Sequence, residues 1–255
     1  MKYPTLQDYN PPTTSSNFSL CSKLAPERKL WKKEYKAVVG LDEAGRGPLA
    51  GPVTAAAVTI RPAKLKVKSA KLKVLLKEIK DSKKLSQKKR EKLCKLFIKN
   101  PAIGWGIGRV SEKVIDKINI LEATKLAMKR AVRSLEKKLK KKRKKSPPID
   151  FLLIDGNFKI GSKIPQKAIV KADEKIFSCA AASIIAKVHR DAVMKRYHKK
   201  YPKYNFAQHK GYPTKEHIKA LGKYGCCKIH RKSFGPIRRL ELKAQSSKRK
   251  AAAKS

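Results

Sequence analysis

A continuous apolar segment at residues 151–154, Phe-Leu-Leu-Ile, restricts the folds open to this chain more than any other feature. A short run without alternation is typical of a strand buried on both faces of a partly parallel sheet. Further strand-like runs lie at residues 37–41 and 53–60, and residues 103–110 alternate large and small side chains. We expect the runs at 37–41 and 53–60 to be neighbouring strands, joined through a glycine-rich turn at residues 45–48.

Segments with helical periodicity separate these runs. Residues 85–98 have helical spacing, with Ser86 as the expected N-cap. A second helix is predicted from Asn119, which forms an approximate capping box with Glu122, and it runs into a basic tract at residues 137–145. These helices alternate with the strands, which is the pattern of an α/β protein.

The last predicted elements follow the 151–154 strand. A long helical region is predicted from Asp173, and its small residues at 180–183 would allow close packing against the sheet. Residues 201–239 are rich in Gly, Pro, His, Tyr and Lys and are expected to form loops and short helices along one wall of a cleft. The fold class is therefore predicted to be α/β, a mixed sheet flanked by helices with a helical C-terminal part.

The predicted domain organisation has three parts. Residues 1–36 form a polar, Pro-bearing and partly ordered extension, residues 37–240 form the α/β domain, and residues 241–255 form a basic flexible tail. A Lys-rich insertion at residues 64–84 would lie on the surface of the domain.

Charge points to the class of partner. The chain has 65 Lys and Arg residues against 19 Asp and Glu residues, a formal net charge of +46. A charge of this size in 255 residues implies strong self-repulsion unless a polyanion neutralises it, so nucleic acid is the expected partner. Most of the charge lies outside residues 241–255, so a basic tail alone does not explain it.

The cysteines and the apolar segments indicate where such a chain would act. Five cysteines without a C-x-x-C pair predict neither a disulfide framework nor a zinc knuckle, and they fit a reducing compartment. The N-terminus lacks the apolar run of a secretory signal, and the longest weakly polar stretch, residues 48–60, is too short to span a bilayer. We expect a cytoplasmic protein with no membrane partner.

Acidic residues are scarce, and a few lie where chemistry is expected, beside glycine turns or at the ends of predicted elements. They are Asp42, Glu43, Asp155 and Asp173. Functional crevices in open α/β sheets lie at the carboxyl ends of strands, so Asp42 and Asp155 would share one crevice if their strands are adjacent. Glu43 would join Asp42 only if the strand ends or twists there, which Gly45 and Gly47 permit.

Clustered carboxylates in a cationic protein repel one another and have raised pKa values unless a cation lies among them. Hard oxygen ligands suit Mg²⁺ or Mn²⁺, and two such ions can activate a water and stabilise the leaving oxygen of a phosphodiester. The pattern therefore indicates a metal-dependent nuclease.

Structural roles for the same residues stay open. Asp155-Gly156 can be a simple turn, Asp173 can be a helix N-cap, and Asp191 can be a paired structural acid. The basic tract at residues 137–145 can be a solvated helix face. The five histidines lack zinc-site spacing, and the glycine motifs lack the residues needed for nucleotide binding.

Seven short blocks follow one another between residues 37 and 236. They are residues 42–53 (DEAGRGPLAGPV), 81–86 (DSKKLS), 155–157 (DGN), 171–173 (KAD), 180–191 (AAASIIAKVHRD), 209–214 (HKGYPT) and 230–234 (HRKSF). In this order they resemble bacterial ribonuclease HII, a type 2 ribonuclease H. The related ribonuclease HIII has a longer N-terminal domain, for which the residues before 37 do not suffice.

The resemblance implies an RNase H-like fold and an endonuclease that cleaves RNA in RNA–DNA hybrids and nicks duplex DNA 5′ to single ribonucleotides. A monomer is expected, because no sequence feature demands an oligomer. The resemblance assigns residues to two roles. The metal-binding catalytic carboxylates would be Asp42, Glu43, Asp155 and Asp173, and the substrate-binding residues would be Gly45, Arg46, Gly47, Lys83, Ser183, Lys187 and Tyr212. By the same resemblance, the Gly45-Arg46-Gly47 loop reads the ribose 2′-hydroxyl through backbone groups, and Tyr212 stacks at the RNA–DNA junction.

Two other functions compete with this interpretation. A non-catalytic basic nucleic-acid-binding protein would explain the composition, but it has no reason to place carboxylates where phosphates approach. A recombination or junction nuclease with an RNase H-like fold would also use clustered carboxylates and two metals. Only the glycine loop and Tyr212, through the resemblance, favour a ribonucleotide junction.

Overall fold

A computed structural model describes residues 19–61, 79, 85–142 and 147–252. Its centre is a five-stranded sheet formed by β1 (Val38–Ala44), β2 (Val53–Ile60), β3 (Ile103–Val110), β4 (Phe151–Asp155) and β5 (Gln166–Ile169). The order across the sheet is β3-β2-β1-β4-β5; β4 is parallel to both of its neighbours, and the remaining pairs are antiparallel. The predicted fold class is confirmed, as are the four predicted strands and the adjacency of the first two.

Helices cover both faces of this sheet. In chain order they are α1 (Ala25–Lys32), α2 (Gln87–Lys99), α3 (Glu112–Lys142), α4 (Ala172–Lys175), α5 (Phe177–Lys200), α6 (Phe206–His209), α7 (Lys215–Tyr224) and α8 (Gly235–Ala252). One hydrophobic cluster joins one face to α3, and a second joins the opposite face to α1, α2 and α5. Every residue of β2 is buried because both faces of the sheet are covered at that strand.

Small residues set the distance between the helices and the sheet. Ala180, Ala181 and Ala182 on α5 are fully buried, and a Cβ on Gly40 of β1 would collide with the α5 backbone at Cys179. A Cβ on Gly106 of β3 would likewise collide with the backbone of α3. The close helix packing predicted for residues 180–183 is therefore observed.

The predicted helix starts at Ser86 and Asn119 are both confirmed. The Ser86 hydroxyl accepts a hydrogen bond from the backbone N–H of Lys89 at the start of α2 (3.4 Å). Helix α3 is interrupted at Asn119, whose φ is 61°, and the Asn119 side chain accepts hydrogen bonds from the N–H groups of the next turn. Glu122 pairs with Lys125 (2.7 Å). The helical turns of α3 before Asn119 were not predicted.

The helical region predicted from Asp173 is divided. Helix α4 ends at Lys175, Ile176 has extended φ and ψ angles (−126° and 128°), and α5 begins at Phe177. Asp173 lies in the first turn of α4 and the N-cap position is occupied by Lys171, so the alternative that Asp173 is a simple N-cap is wrong.

Both ends of the chain differ from the predicted organisation. Helix α1 belongs to the core rather than to an extension, because Leu24, Glu27 and Trp31 are buried against the domain. Helix α8 continues to Ala252 where a flexible tail was predicted, and its sequence after Pro236 contains no Gly or Pro to end a helix.

Several predicted features lie outside the described residues. They are the start of the N-terminal extension, most of the Lys-rich insertion, Lys83, and residues 143–145 of the basic tract. No helix in the described ranges is both long and apolar enough to cross a membrane.

Candidate active site

The ends of two parallel strands bring Asp42 and Asp155 together. The register of β1 and β4 places Leu41 beside Ile154, so the next residues along the two strands are Asp42 and Asp155. Both lie at the carboxyl edge of the parallel part of the sheet, where α/β proteins bind ligands. The two acids predicted to share a crevice are therefore neighbours.

Asp42 is the more deeply buried of the two carboxylates on β1. Its side chain is 5% exposed and accepts hydrogen bonds from the backbone N–H of Glu43 (2.6 Å) and from the Ser183 hydroxyl on α5. Burial raises the pKa of Asp42 well above its usual value, and the charges of Glu43 and Asp155 raise it further. The residue is held where ionisation requires a compensating cation.

Glu43 reaches the same group of charges although β1 does not end there, since the strand continues to Ala44. Burial raises its pKa to about 7; the Arg46 side chain, 3.5 Å away, lowers the pKa in part, and the charge of Asp155 raises it again. One carboxylate oxygen of Glu43, Oε2, is buried without a hydrogen-bond partner. This oxygen is available to coordinate a metal ion.

Asp173 is brought to the site through its neighbour in the chain. The Asp155 carboxylate accepts a hydrogen bond from the backbone N–H of Ala172 (2.6 Å), the residue before Asp173. Lys171 adopts a left-handed conformation (φ 57°) that turns the chain into α4, and Asp173 is 2% exposed. The four predicted acids thus come from three elements that meet at one edge of the sheet.

This arrangement fits a divalent cation. Carboxylate oxygens are the ligands that Mg²⁺ and Mn²⁺ prefer, and Asp42, Glu43 and Asp155 repel one another when all are ionised. The described side chains do not form a ready-made cluster of three ligands. One oxygen of Asp42 and one of Asp155 accept hydrogen bonds from backbone N–H groups, which fixes the position of both carboxylates.

A cleft of about 360 Å³ opens beside these acids. It is lined by Glu43, Ala44, Gly45, Arg46, Gly47, Arg90, Ser183, Ile184, Lys187 and Tyr212. Gly45 has a φ of 98°, which favours glycine, and the loop from Gly45 to Gly47 forms one wall with Arg46 between two residues that have no side chain. Tyr212, which also lines the cleft, is 39% exposed although its aromatic ring is large.

The other predicted substrate-binding residues have defined places. Lys187 on α5 forms an ion pair with Asp191 (2.9 Å), and its Nζ lies 5.6 Å from the centre of the Tyr212 ring. Asp191 is accordingly a paired acid, as its structural alternative predicted. Ser183 lines the cleft and also binds Asp42. Lys83 lies outside the described residues, so its role stays a prediction.

Three arginines near the cleft were not singled out in the sequence. Arg90 on α2 lines the cleft, and Arg190 and Arg231 are fully buried beside the Gly45 loop. Arg190 and Arg231 lie in the blocks at residues 180–191 and 230–234, but the resemblance assigned them no role. Arg90 lies outside the seven blocks, and nothing local distinguishes it among 65 Lys and Arg residues.

Comparison with known proteins agrees with this geometry. The family model described as ribonuclease HII matches residues 39–236. The chain belongs to the ribonuclease HII family. It is therefore a ribonuclease H, a metal-dependent endonuclease that acts on RNA–DNA hybrids.

Individual relatives cover most of the chain. Ribonuclease HII of Caldanaerobacter subterraneus subsp. tengcongensis is 48% identical over 208 residues, 82% of this chain and 78% of the relative. The crystal structure of ribonuclease H2 from Pyrococcus horikoshii is similar with a TM-score of 0.60 and 26% identity, covering 81% of this chain and 98% of that one. Bst-RNase HIII, solved with Mn²⁺, shares the fold at 17% identity and a TM-score of 0.60, covering 83% of this chain and 71% of that one.

Proposed function

We propose that the chain nicks duplex DNA on the 5′ side of single embedded ribonucleotides and cleaves the RNA of RNA–DNA hybrids, with Asp42, Glu43, Asp155 and Asp173 as metal ligands. The observation that supports this most directly is the meeting of Asp42, Glu43 and Asp155 at a strand edge beside a cleft lined by Gly45 and Tyr212. A module that only binds nucleic acid would avoid negative charge at the place where phosphates approach.

The acids would hold two ions of Mg²⁺ or Mn²⁺. Bound there, such ions would supply an activated water for attack on the phosphodiester and would stabilise the 3′-oxygen as it leaves. Asp42 and Asp155 come from adjacent strands of a rigid sheet, so their carboxylates are fixed in position before substrate arrives. The expected products carry a 3′-hydroxyl and a 5′-phosphate, and a 2′,3′-cyclic phosphate would contradict the mechanism.

Recognition of the ribonucleotide is assigned to the cleft walls. The 2′-hydroxyl is the group that distinguishes RNA from DNA, and a loop with glycines at Gly45 and Gly47 lets the backbone approach it. Tyr212, which is exposed beside Lys187, would stack at the junction, and Lys187 would face a phosphate. Lys83 and Ser183 complete the proposed substrate contacts.

We also propose that the chain acts as a monomer in a reducing compartment. Cys94, Cys179, Cys226 and Cys227 are free thiols, which supports a reducing compartment such as the cytoplasm.

Cleavage of a labelled DNA duplex with a single ribonucleotide tests the function. Wild type should give one metal-dependent nick 5′ to the ribonucleotide. Asp155→Asn should lose most of the activity at unchanged stability, because the amide keeps the volume of the side chain but removes its charge. Asp150→Asn is the matched control, since Asp150 binds the backbone at Lys36 and Ala37 away from the cleft. Binding without a nick would favour the non-catalytic alternative, and normal cleavage by Asp155→Asn would exclude the proposed metal site.

A further inference from the structure

Two arginine side chains are buried beneath the glycine-rich segment that follows β1. Arg190 on α5 and Arg231, which precedes α8, are both 0% exposed. In the part of the chain that the structure describes, neither is hydrogen-bonded to a carboxylate. Burial and the nearby charge of Arg190 lower the pKa of Arg231 to about 9. Burying two positive charges close together costs free energy, so the contacts that compensate for this cost are informative.

The guanidinium of Arg231 binds three carbonyls of one short segment. It donates hydrogen bonds to the backbone oxygens of Gly45 (2.6 Å), Arg46 (2.9 Å) and Gly51 (2.9 Å). These oxygens converge on one point only when the segment is tightly turned. The planar fork of an arginine matches such a set, whereas a lysine carries its donors on a single nitrogen.

Arg190 binds the far end of the same segment and joins it to the turn that carries Tyr212. It donates hydrogen bonds to the backbone oxygens of Ala50 (3.2 Å), Pro52 (3.0 Å) and Lys210 (3.1 Å). A Cβ at Gly45 would collide with the Arg190 side chain, so the loop lies directly on it. The glycine loop and the turn before Tyr212 therefore share one support.

Arg231 is itself held in place by the surrounding backbone. Its own N–H donates to the carbonyl of Leu49 (2.8 Å), and the Leu49 N–H donates to the carbonyl of Gly211 (2.7 Å). The Asp116 carboxylate on α3 accepts hydrogen bonds from the N–H groups of Lys232 (3.0 Å) and Ser233 (2.9 Å). The arginine is thus anchored to α3 on one side and to the loop on the other.

We propose that Arg190 and Arg231 are a positioning pair that fixes the backbone of residues 45–52 in the form that recognises the ribose 2′-hydroxyl. The inference rests on the proposed function of the Gly45-Arg46-Gly47 loop. Neither arginine lines the cleft, so both act through residues that do. Arg190 also lies 5.9 Å from the centre of the Tyr212 ring. Because the carbonyls of Gly45 and Arg46 are bound by Arg231, the opposite side of the loop faces the substrate.

Discrimination at the 2′ position measures this role. Arg231→Lys and Arg190→Lys are compared with wild type on two duplexes, one with a single ribonucleotide and one with a 2′-fluoro nucleotide at the same place. Single-turnover rates are measured at saturating enzyme and Mn²⁺, and binding is measured on an all-DNA duplex. Arg130→Lys is the control, because Arg130 on α3 also donates to a backbone carbonyl, that of Arg109, but neither residue lines the cleft.

We expect both variants to cut the ribonucleotide duplex about 100-fold more slowly, as a small misplacement of a recognition group can cause. Their preference for the 2′-hydroxyl over 2′-fluorine should fall, and binding to the all-DNA duplex should not change. Amide hydrogens of residues 45–52 should exchange faster than in wild type. The Arg130→Lys variant should behave as wild type in every measurement.

Other results would overturn the inference. Equal slowing on both duplexes, or retained discrimination in both variants, would make the pair merely structural. Failure of both lysine variants to fold would identify it as a requirement for folding instead. If wild type does not cut at the ribonucleotide, the proposed function itself fails, and this is seen before any variant is compared.

Discussion

The hydroxyl of Ser183 donates a hydrogen bond to the Asp42 carboxylate, and this bond opposes the burial that raises the pKa of Asp42. Ser183→Ala should therefore weaken metal binding about 10- to 100-fold, the usual effect of removing a group that orients a ligand. Cleavage rates measured against Mn²⁺ concentration would show this as a shifted midpoint with a similar maximum rate. Ser134→Ala, on α3, is the control. An unchanged Mn²⁺ midpoint in Ser183→Ala would show that this hydroxyl does not orient Asp42 for metal binding.

Glu43 links metal binding to pH. Its pKa is raised to about 7 by burial, so below this value a proton competes with the cation for the carboxylate. Affinity for Mn²⁺ should rise as pH increases through about 7 and level off only above that value, with protons released on binding. Calorimetry in buffers of different ionisation enthalpy would measure both effects. Glu43→Gln should bind more weakly and release fewer protons, and an unchanged proton count would remove Glu43 from the site.

The residues of the site differ in how well the sequence revealed them. The acids at 42, 43 and 155 could be predicted because each follows a strand-like run, and the ends of strands gather at one edge of a sheet. Arg190 and Arg231 could not, because their role depends on backbone carbonyls brought together from residues 45–52. Both arginines lie in blocks that carry the family resemblance, but contacts with distant main-chain atoms give no local pattern that would reveal their role.

At the scale of elements, local signals marked helix starts better than helix breaks. Asn119 and Ser86 place their oxygen atoms on N–H groups of the following turn, which is a purely local arrangement. The break at Ile176 has no such signal, because this buried apolar residue adopts an extended backbone between α4 and α5 without a capping side chain. Strand β5 could not be predicted, because it has only four residues, 166–169, and none of them is fully buried.

Helix α5, which carries Ser183 and Lys187, is capped from another element. Its own N-cap residue, Ile176, has no capping side chain, but the Glu27 carboxylate on α1 accepts a hydrogen bond from the N–H of Ser178 (2.9 Å). Glu27 is 1% exposed, and one of its oxygens is buried without a partner. The segment before residue 37 therefore supports the helix that borders the cleft.

The burial of the Glu27 carboxyl makes stability depend on pH. Burial raises the pKa of Glu27 from 4.5 to about 7, despite the opposing hydrogen bond from Ser178. The folded state then binds the Glu27 proton more tightly than the unfolded chain does. Protonation of Glu27 therefore contributes fully to the free energy of unfolding below about pH 4.5, and this contribution is lost as pH rises to about 7. Relative to Glu27→Gln, wild type should lose on the order of 3 kcal/mol over that range in urea unfolding. Glu122→Gln, at an exposed acid, should show no such difference.

Across the whole molecule, a net charge of +46 surrounds a small group of acids. The positive field attracts a nucleic acid from a distance, while the local negative charge at the ends of β1 and β4 requires cations before a phosphate can enter. Affinity and chemistry are thereby assigned to different parts of the chain. Changes in the surface lysines should alter binding without altering the position of the cut.

The basic end of α3 provides the test of this separation. Lys137, Lys140 and Lys141 are exposed there, and replacing all three by Gln should flatten the salt dependence of duplex binding. The slope of log K against log salt should fall by about 0.9 for each lysine that contacts a phosphate.

A control variant with the same change in net charge distinguishes direct contact of the lysines with phosphates from the effect of the overall electrostatic field. Lys29, Lys32 and Lys33 are also exposed, but they lie on or directly after α1, against the opposite face of the sheet from α3. If their replacement by Gln flattens the slope equally, only the overall field matters and the tract makes no specific contact. If the α3 variant alone changes the slope, with the nick still 5′ to the ribonucleotide, the duplex extends along α3 beyond the cleft. Direct phosphate contacts release counterions, whereas a distant charge changes mainly the rate of encounter.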